Sequence, residues 1–194
     1  MQMPRDGRNL VVVLDDDATW AERMCALVAE HGFVGIHVDR RKQALAILER
    51  EVVAAVILEA HLRRAGILYP FISQIARMGS QIQIVVVTQF ASSAGCTYAF
   101  ECGAVEYLAK PSGKQDWLAE EERLVDAVAG RSRARLWEMY DAPLPVAPRM
   151  SLAEIDWEVA WSILCVHGWK TVPAAIQLGV SRSALSRLLV NPPR

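Results

Sequence analysis

The chain has 194 residues, 53% of them hydrophobic and 22% charged, with a formal net charge of −1. That balance predicts a folded core rather than a disordered chain, and the length allows one full domain plus a small one. No apolar run approaches the ~20 residues that cross a bilayer. The opening MQMPRDGRNL lacks the hydrophobic segment of a secretory signal, so a cytoplasmic protein with no membrane partner is expected.

The four cysteines, Cys25, Cys96, Cys102 and Cys165, form no CxxC pair and sit at no zinc-ligand spacing. They read as reduced thiols, with a redox role for Cys96 or Cys102 as the lesser alternative. The small net charge hides a split. Residues 1–130 carry 13 Lys/Arg against 17 Asp/Glu, residues 131–150 carry 4 against 2, and residues 151–194 carry 4 against 3. A basic nucleic-acid-binding tail is usually more one-sided.

In chain order, LVVVL (10–14) is a continuous β-branched run, as expected of a strand buried on both faces. AERMCALVAEHG (21–32) has helical spacing and ends at a capping glycine. A short strand at 34–38, an amphipathic helix at 40–51 and a strand at 54–58 follow. Residues 68–79 predict a helix with Pro70 in its first turn, 83–88 a buried strand and 93–103 a helix closed by Gly103. Residues 105–110 predict the last strand and 114–130 the last helix. Five strands alternating with five helices imply an α/β fold: a doubly wound, five-stranded parallel sheet of flavodoxin-like order.

After Gly130 the pattern breaks. Residues 131–150, with Pro143, Pro145 and Pro148, read as a semi-rigid linker, whose Leu136, Trp137 and Met139 could extend the preceding helix. A small all-α unit is expected over 151–194. Ser151 and Glu154 have capping-box spacing. The apolar Ile155, Trp157, Val159, Trp161, Ile163 and Leu164 cover more than one helix face, enough for a partner helix as well as the unit's own core. Residues 171–190 read as two short helices broken at Gly179, with Thr171 as a cap and Pro173 in the first turn. Leu185, Leu188 and Leu189 share an inner face, while Arg182, Ser183, Ser186 and Arg187 share the outer one. This is a helix-turn-helix pattern whose second helix suits a DNA major groove, with Lys170 as an added contact.

The strand ends carry the chemistry. The first ends in Asp15, Asp16 and Asp17, the third in Glu59, the fourth in Thr88 and the fifth in Lys110. In a parallel sheet these converge on one rim. Clustered carboxylates such as Asp15, Asp16 and Glu59 attract a hard cation such as Mg²⁺, although no cofactor is required. A hydroxyl and an ammonium suit phosphoryl oxygens. No separate nucleophile–base pair accompanies them, so an enzyme is not expected.

LDDDAT, VVVTQFAS and YLAKP resemble the motifs of a response-regulator receiver domain over residues 9–128. The resemblance implies metal-binding positions at Asp15 and Asp16, a switch hydroxyl at Thr88, an aromatic switch at Tyr107 and the receiver lysine at Lys110. It would have the backbone carbonyl of His61 face the metal. Glu59 stands where receivers carry the phosphoryl-accepting aspartate. The extra methylene displaces the carboxylate by about a bond length, and misplacement near ~1 Å can cost ~100-fold in rate. Phosphorylation is therefore not expected, and an ion pair of Glu59 with Lys110 is. Gln89 and Phe90 are bulky for a pocket that must admit a donor. Arg63 and Arg64 read as solvated loop residues, with competition against a metal as the alternative.

The C-terminal unit resembles the Fis-type helix-turn-helix, and the whole chain resembles response regulators of the RegA/ActR/PrrA type. That resemblance implies transcription regulation, DNA binding as a homodimer and a partner histidine kinase; Glu59 argues against the kinase. An adaptor or antagonist that binds another regulator or kinase is the alternative.

Overall fold

The computed structural model describes residues 9–62, 66–89, 91, 93–111, 117–131 and 152–190. The chain divides into two compact units, residues 1–91 with 99–134, and residues 92–98 with 135–194.

The first unit runs β1 (Leu10–Leu14), α1 (Ala18–Glu30), β2 (Val34–Val38), α2 (Arg41–Leu48), β3 (Val53–Leu58), β4 (His61–Leu62), β5 (Gly66–Ile67), α3 (Tyr69–Met78), β6 (Gln83–Thr88), α4 (Ser93–Glu101), β7 (Glu106–Ala109) and α5 (Leu118–Val128). The first turns of α4 fall to the second unit by the division above. The main sheet is parallel, in the order β2-β1-β3-β6-β7, which is the flavodoxin-like order expected. β4 and β5 form a two-strand antiparallel ladder that the sequence pattern does not announce.

Alternation along the buried strands feeds two layers. Val11 and Val13 of β1, Ala55 and Ile57 of β3, and Val85 and Val87 of β6 join Met24 and Val28 of α1 and Leu124 and Val128 of α5 in one core cluster. Val12, Leu14, Val56, Leu58, Ile84 and Val86 are equally buried, as are Ile72 and Ile75 of α3. Among the described residues of the main sheet, the strand interiors are buried except on β2, an edge strand, where Val34 and Ile36 are exposed.

α1 begins earlier than the apolar spacing suggests. Asp17 is its N-cap, and the Asp17 side chain accepts from Trp20 N at 3.1 Å. The third acid of the DDD run thus terminates a helix rather than joining the strand-end cluster.

The second unit contains α6 (Leu152–Val166), α7 (Thr171–Leu178) and α8 (Arg182–Val190), each touching the other two. Trp157 and Trp161 are buried and stack at 4.5 Å, and Trp161 meets Trp169 edge-on at 5.0 Å. Leu164, Ala174, Ala175, Leu185 and Leu189 complete the interior. Val159 is exposed, so α6 does not bury its whole apolar surface within the unit. Gly179 ends α7 with φ 66°, a left-handed turn that a side chain would strain. Lys170, not Thr171, is the N-cap of α7. The Ser151 cap, residues 132–150 of the linker, Arg63, Arg64, Phe90 and the Ile155 side chain lie outside the described residues. No helix among the described residues is long and apolar enough to cross a membrane.

Candidate functional site: a filled anion hole at the carboxyl edge of the sheet

Strand register builds the site. Leu14 pairs with Leu58, Leu58 with Val86, and Thr88 with Ala109, so β1 and β3 finish level with each other, and β6 and β7 finish level two residues further on. Ladder-like bonds continue one residue further: Glu59 N donates to Leu14 O at 2.9 Å, and Lys110 N to Thr88 O at 2.8 Å. Asp15, Glu59, Thr88 and Lys110 are thereby brought to one rim. Asp15, Glu59 and Thr88 are 2%, 3% and 1% exposed, so each polar group there needs a partner.

Glu59 has four. Its Oε1 accepts from Thr88 Oγ1 at 2.5 Å and from His61 N at 3.1 Å. Its Oε2 accepts from Gln89 N at 3.0 Å and lies 3.1 Å from Lys110 Nζ. Two backbone amides, a hydroxyl and an ammonium therefore converge on one carboxylate. Such a set of donors is an anion hole, and here the occupant is the protein's own side chain.

Lys110 Nζ also contacts Asp15 Oδ2 at 2.6 Å, while Asp15 Oδ1 accepts from Asp17 N at 2.9 Å. Burial raises the Asp15 carboxyl above its ordinary 3.8, outweighing the attraction of Lys110, and the Glu59 charge pushes the same way. Burial likewise lowers the His61 imidazole below 6.5, against the pull of Glu59 and Asp16. Asp16 is half-buried, and His37 Nε2 lies 2.9 Å from the Asp15 carbonyl oxygen.

A tryptophan covers the lysine. The Trp20 ring centroid is 5.5 Å from Lys110 Nζ, within cation–π range. Trp20 in turn meets Trp117 edge-on at 5.0 Å, and Trp117 Nε1 donates to Ala109 O at 3.0 Å. Arg23 lies over both rings and pairs with Glu121 at 2.5 Å. Neither Trp20 nor the amides of His61 and Gln89 was singled out from the sequence. Trp20 was findable, because the Asp17 cap sets it one turn into α1 beside the strand-end acids. The amides carry no side-chain signal.

Tyr107 is buried on β7, next to Glu106, whose carboxylate pairs with Arg123 at 2.6 Å. In the second unit, Arg182, Ser183, Ser186 and Arg187 of α8 are exposed, as is Lys170. Leu185 and Leu189 face inward, with Leu188 half-buried.

Glu59 does not offer a metal the oxygens that the strand-end acids alone suggested. A carboxylate offers about four acceptor sites, and those of Glu59 are matched by four donors. Among the described residues no group of three or more His, Cys, Asp or Glu is placed to hold a metal ion.

A parallel sheet in this order, gathering an acid, a hydroxyl and a lysine at its carboxyl edge, defines a signalling receiver. The chain belongs to the response regulator receiver domain family, which matches residues 11–121. The DNA-binding response regulator MtrA of Mycobacterium leprae is 27% identical over 152 residues, covering 78% of this chain and 60% of MtrA. MtrA of Mycobacterium tuberculosis strain H37Rv is 26% identical over the same shares. The chain thus spans about 60% of the length of these curated relatives. Among solved structures, a Burkholderia pseudomallei response regulator with a phosphorylated aspartic acid, calcium ion and citrate is similar at TM-score 0.56 and 20% identity, covering 92% of this chain and 97% of that one. HP1043, an orphan response regulator of H. pylori, is similar at TM-score 0.53 and 20% identity, covering 62% and 98%. These structural likenesses concern the fold.

Proposed function

We propose that this response regulator is a DNA-binding transcription regulator of the RegA/ActR/PrrA type whose receiver works without aspartyl phosphorylation. The observation that carries the reading is the set of four donors on Glu59. Thr88, Lys110 and the two amides are the groups that would grip a phosphoryl oxygen, and Glu59 already holds them. A carboxylate whose lone pairs are all engaged is also a poor nucleophile. The receiver then serves as a fixed dimerisation or docking module rather than a kinase-driven switch.

DNA recognition is assigned to α8. Its exposed Arg182, Ser183, Ser186 and Arg187, with Lys170 ahead of it, would meet the major groove and the backbone. The basic charge is modest, so tight binding calls for a homodimer on two half-sites about one helical turn apart. The DNA-binding relatives named above support the reading. The place of action is the cytoplasm.

Two measurements test it. Sheared genomic duplex is selected on the full chain, and enriched fragments are titrated by anisotropy at several salt concentrations. Specific, salt-dependent binding by a dimer is expected; a folded protein with no specific binding at low salt overturns the DNA assignment. Separately, the protein is incubated with a small phospho-donor and Mg²⁺ and its intact mass recorded. No phosphoryl adduct is expected, and an adduct abolished by Glu59→Ala overturns phosphorylation independence.

A second reading, an adaptor or antagonist of another regulator, draws on the exposed Val172, Ile176, Val180 and Val190 on and around α7 and α8. Co-purification of one stoichiometric regulator or kinase, without DNA selection, would favour it.

A further inference from the structure

We propose that Lys110 is the pocket's resident counter-ion, and that its ammonium, 2.6 Å from Asp15 Oδ2, 3.1 Å from Glu59 Oε2 and 5.5 Å from the Trp20 centroid, keeps divalent metal out of this receiver at millimolar Mg²⁺. The proposal deepens the reading of Glu59 as a fixed occupant and rests on it.

The argument is one of valence and placement. Mg²⁺ demands a near-octahedral oxygen shell and dehydrates reluctantly, so it enters only where carboxylate oxygens are available. Glu59 offers none without breaking a contact to Thr88, His61, Gln89 or Lys110. Asp15 has one oxygen on Asp17 N and the other on Lys110. A cation bound by Asp15, with or without the half-buried Asp16, must either displace the ammonium or sit beside it, and like charges a few ångströms apart at low dielectric repel strongly. Displacement is opposed in turn. The ammonium would leave two carboxylates and the face of Trp20, and the space it moves into is bounded by the Trp20–Trp117 pair that Arg23 spans. The lysine therefore does the charge balancing that a bound divalent ion would do for a cluster of acids.

The test uses the full-length protein. MgCl₂ is titrated at constant ionic strength, reading tryptophan fluorescence, to which Trp20 contributes from above the pocket, and the unfolding temperature. The wild type is expected to show no saturable response up to tens of millimolar. Lys110→Met, which removes the charge and keeps the aliphatic stem, is expected to bind Mg²⁺ at least about tenfold more tightly than any wild-type response. Glu59→Asp, which draws the carboxylate back from its donors, is the second variant and is expected to gain binding in the same way. Saturable low-millimolar binding by the wild type that Asp15→Asn abolishes overturns the proposal. So does a failure of folded Lys110→Met to gain binding, whatever Glu59→Asp does. Wild-type Mg²⁺ binding without a phosphoryl adduct sinks this inference alone, whereas an adduct on Glu59 sinks the reading beneath it.

Discussion

Thr88 Oγ1 donates to Glu59 Oε1 across 2.5 Å, tying β6 to the end of β3 inside a rim where both residues are almost wholly buried. A hydroxyl bonded to a buried carboxylate is among the stronger neutral-donor contacts. Thr88→Val keeps the shape and removes the donor. It is expected to cost about 1.5–3 kcal/mol of stability, measured by urea unfolding, with Thr88→Ser costing clearly less. A loss in Thr88→Ser that matches or exceeds that in Thr88→Val would mean that the hydroxyl bond is not the dominant contribution.

Glu59→Gln separates charge from shape at the same position. The amide supplies one acceptor oxygen and turns an NH₂ toward groups that are themselves donors. Lys110 keeps Asp15 but loses one of its two anionic neighbours. Breaking a buried, hydrogen-bonded pair from one side costs about 3–5 kcal/mol. A loss in that range, read from the denaturation midpoint, is expected. A neutral result would show that the pair contributes no net stability.

Much of this arrangement was legible in the sequence, and the limits have physical causes. Three of the five strands, β1, β3 and β6, could be read because each is a continuous apolar run buried on both faces, the two edge strands from their place between helical segments, and the order followed from chain connectivity. Strand ends then located Asp15, Glu59, Thr88 and Lys110, and the Glu59–Lys110 pair followed from charge alone. Asp17 was misplaced because an N-cap and a pocket acid look identical in a DDD run; only backbone geometry separates them. The donor role of the His61 and Gln89 amides was invisible, since every residue but proline carries an N–H. The fit of Mg²⁺ was also beyond the sequence, because counting carboxylates says nothing about how many of their lone pairs are already used.

His61 makes stability pH-dependent in a defined direction. Its folded-state pKa is lowered by burial from 6.5, so the folded chain binds this proton less readily than the unfolded chain. The contribution is therefore present above 6.5 and lost as pH falls toward the folded-state value. Between about pH 7.5 and about pH 5, the wild type is expected to lose more stability than His61→Gln, which does not titrate there. Parallel pH dependence in the two proteins, followed by urea midpoints, would remove His61 from the account.

Gly35 fixes how closely α1 lies on β2. A Cβ there would stand 2.8 Å from Cys25 Cα and 2.9 Å from its Cβ and Sγ. Two of those atoms belong to the helix backbone or its first side-chain carbon and cannot swing away. Gly35→Ala is expected to destabilise by about 1–3 kcal/mol through overpacking. Cys25→Ala alone removes only the sulfur and is expected to be milder. The comparison is made by thermal unfolding.

Salt dependence tests the DNA assignment residue by residue. Arg182 and Arg187 are the two arginines of α8, and both are exposed. Each phosphate contact steepens the plot of log K against log salt by about 0.9. If both arginines meet the backbone, Arg182→Ala with Arg187→Ala flattens the slope by about 1.8 per subunit, and twice that for a dimer holding two half-sites. If Arg182 instead reads a base edge from the start of the helix, Arg182→Ala leaves the slope nearly unchanged and relaxes preference at one position of each half-site. Slopes from anisotropy titrations on the enriched fragment distinguish the two. A slope untouched by both substitutions, with sequence preference intact, would move the DNA contact off α8.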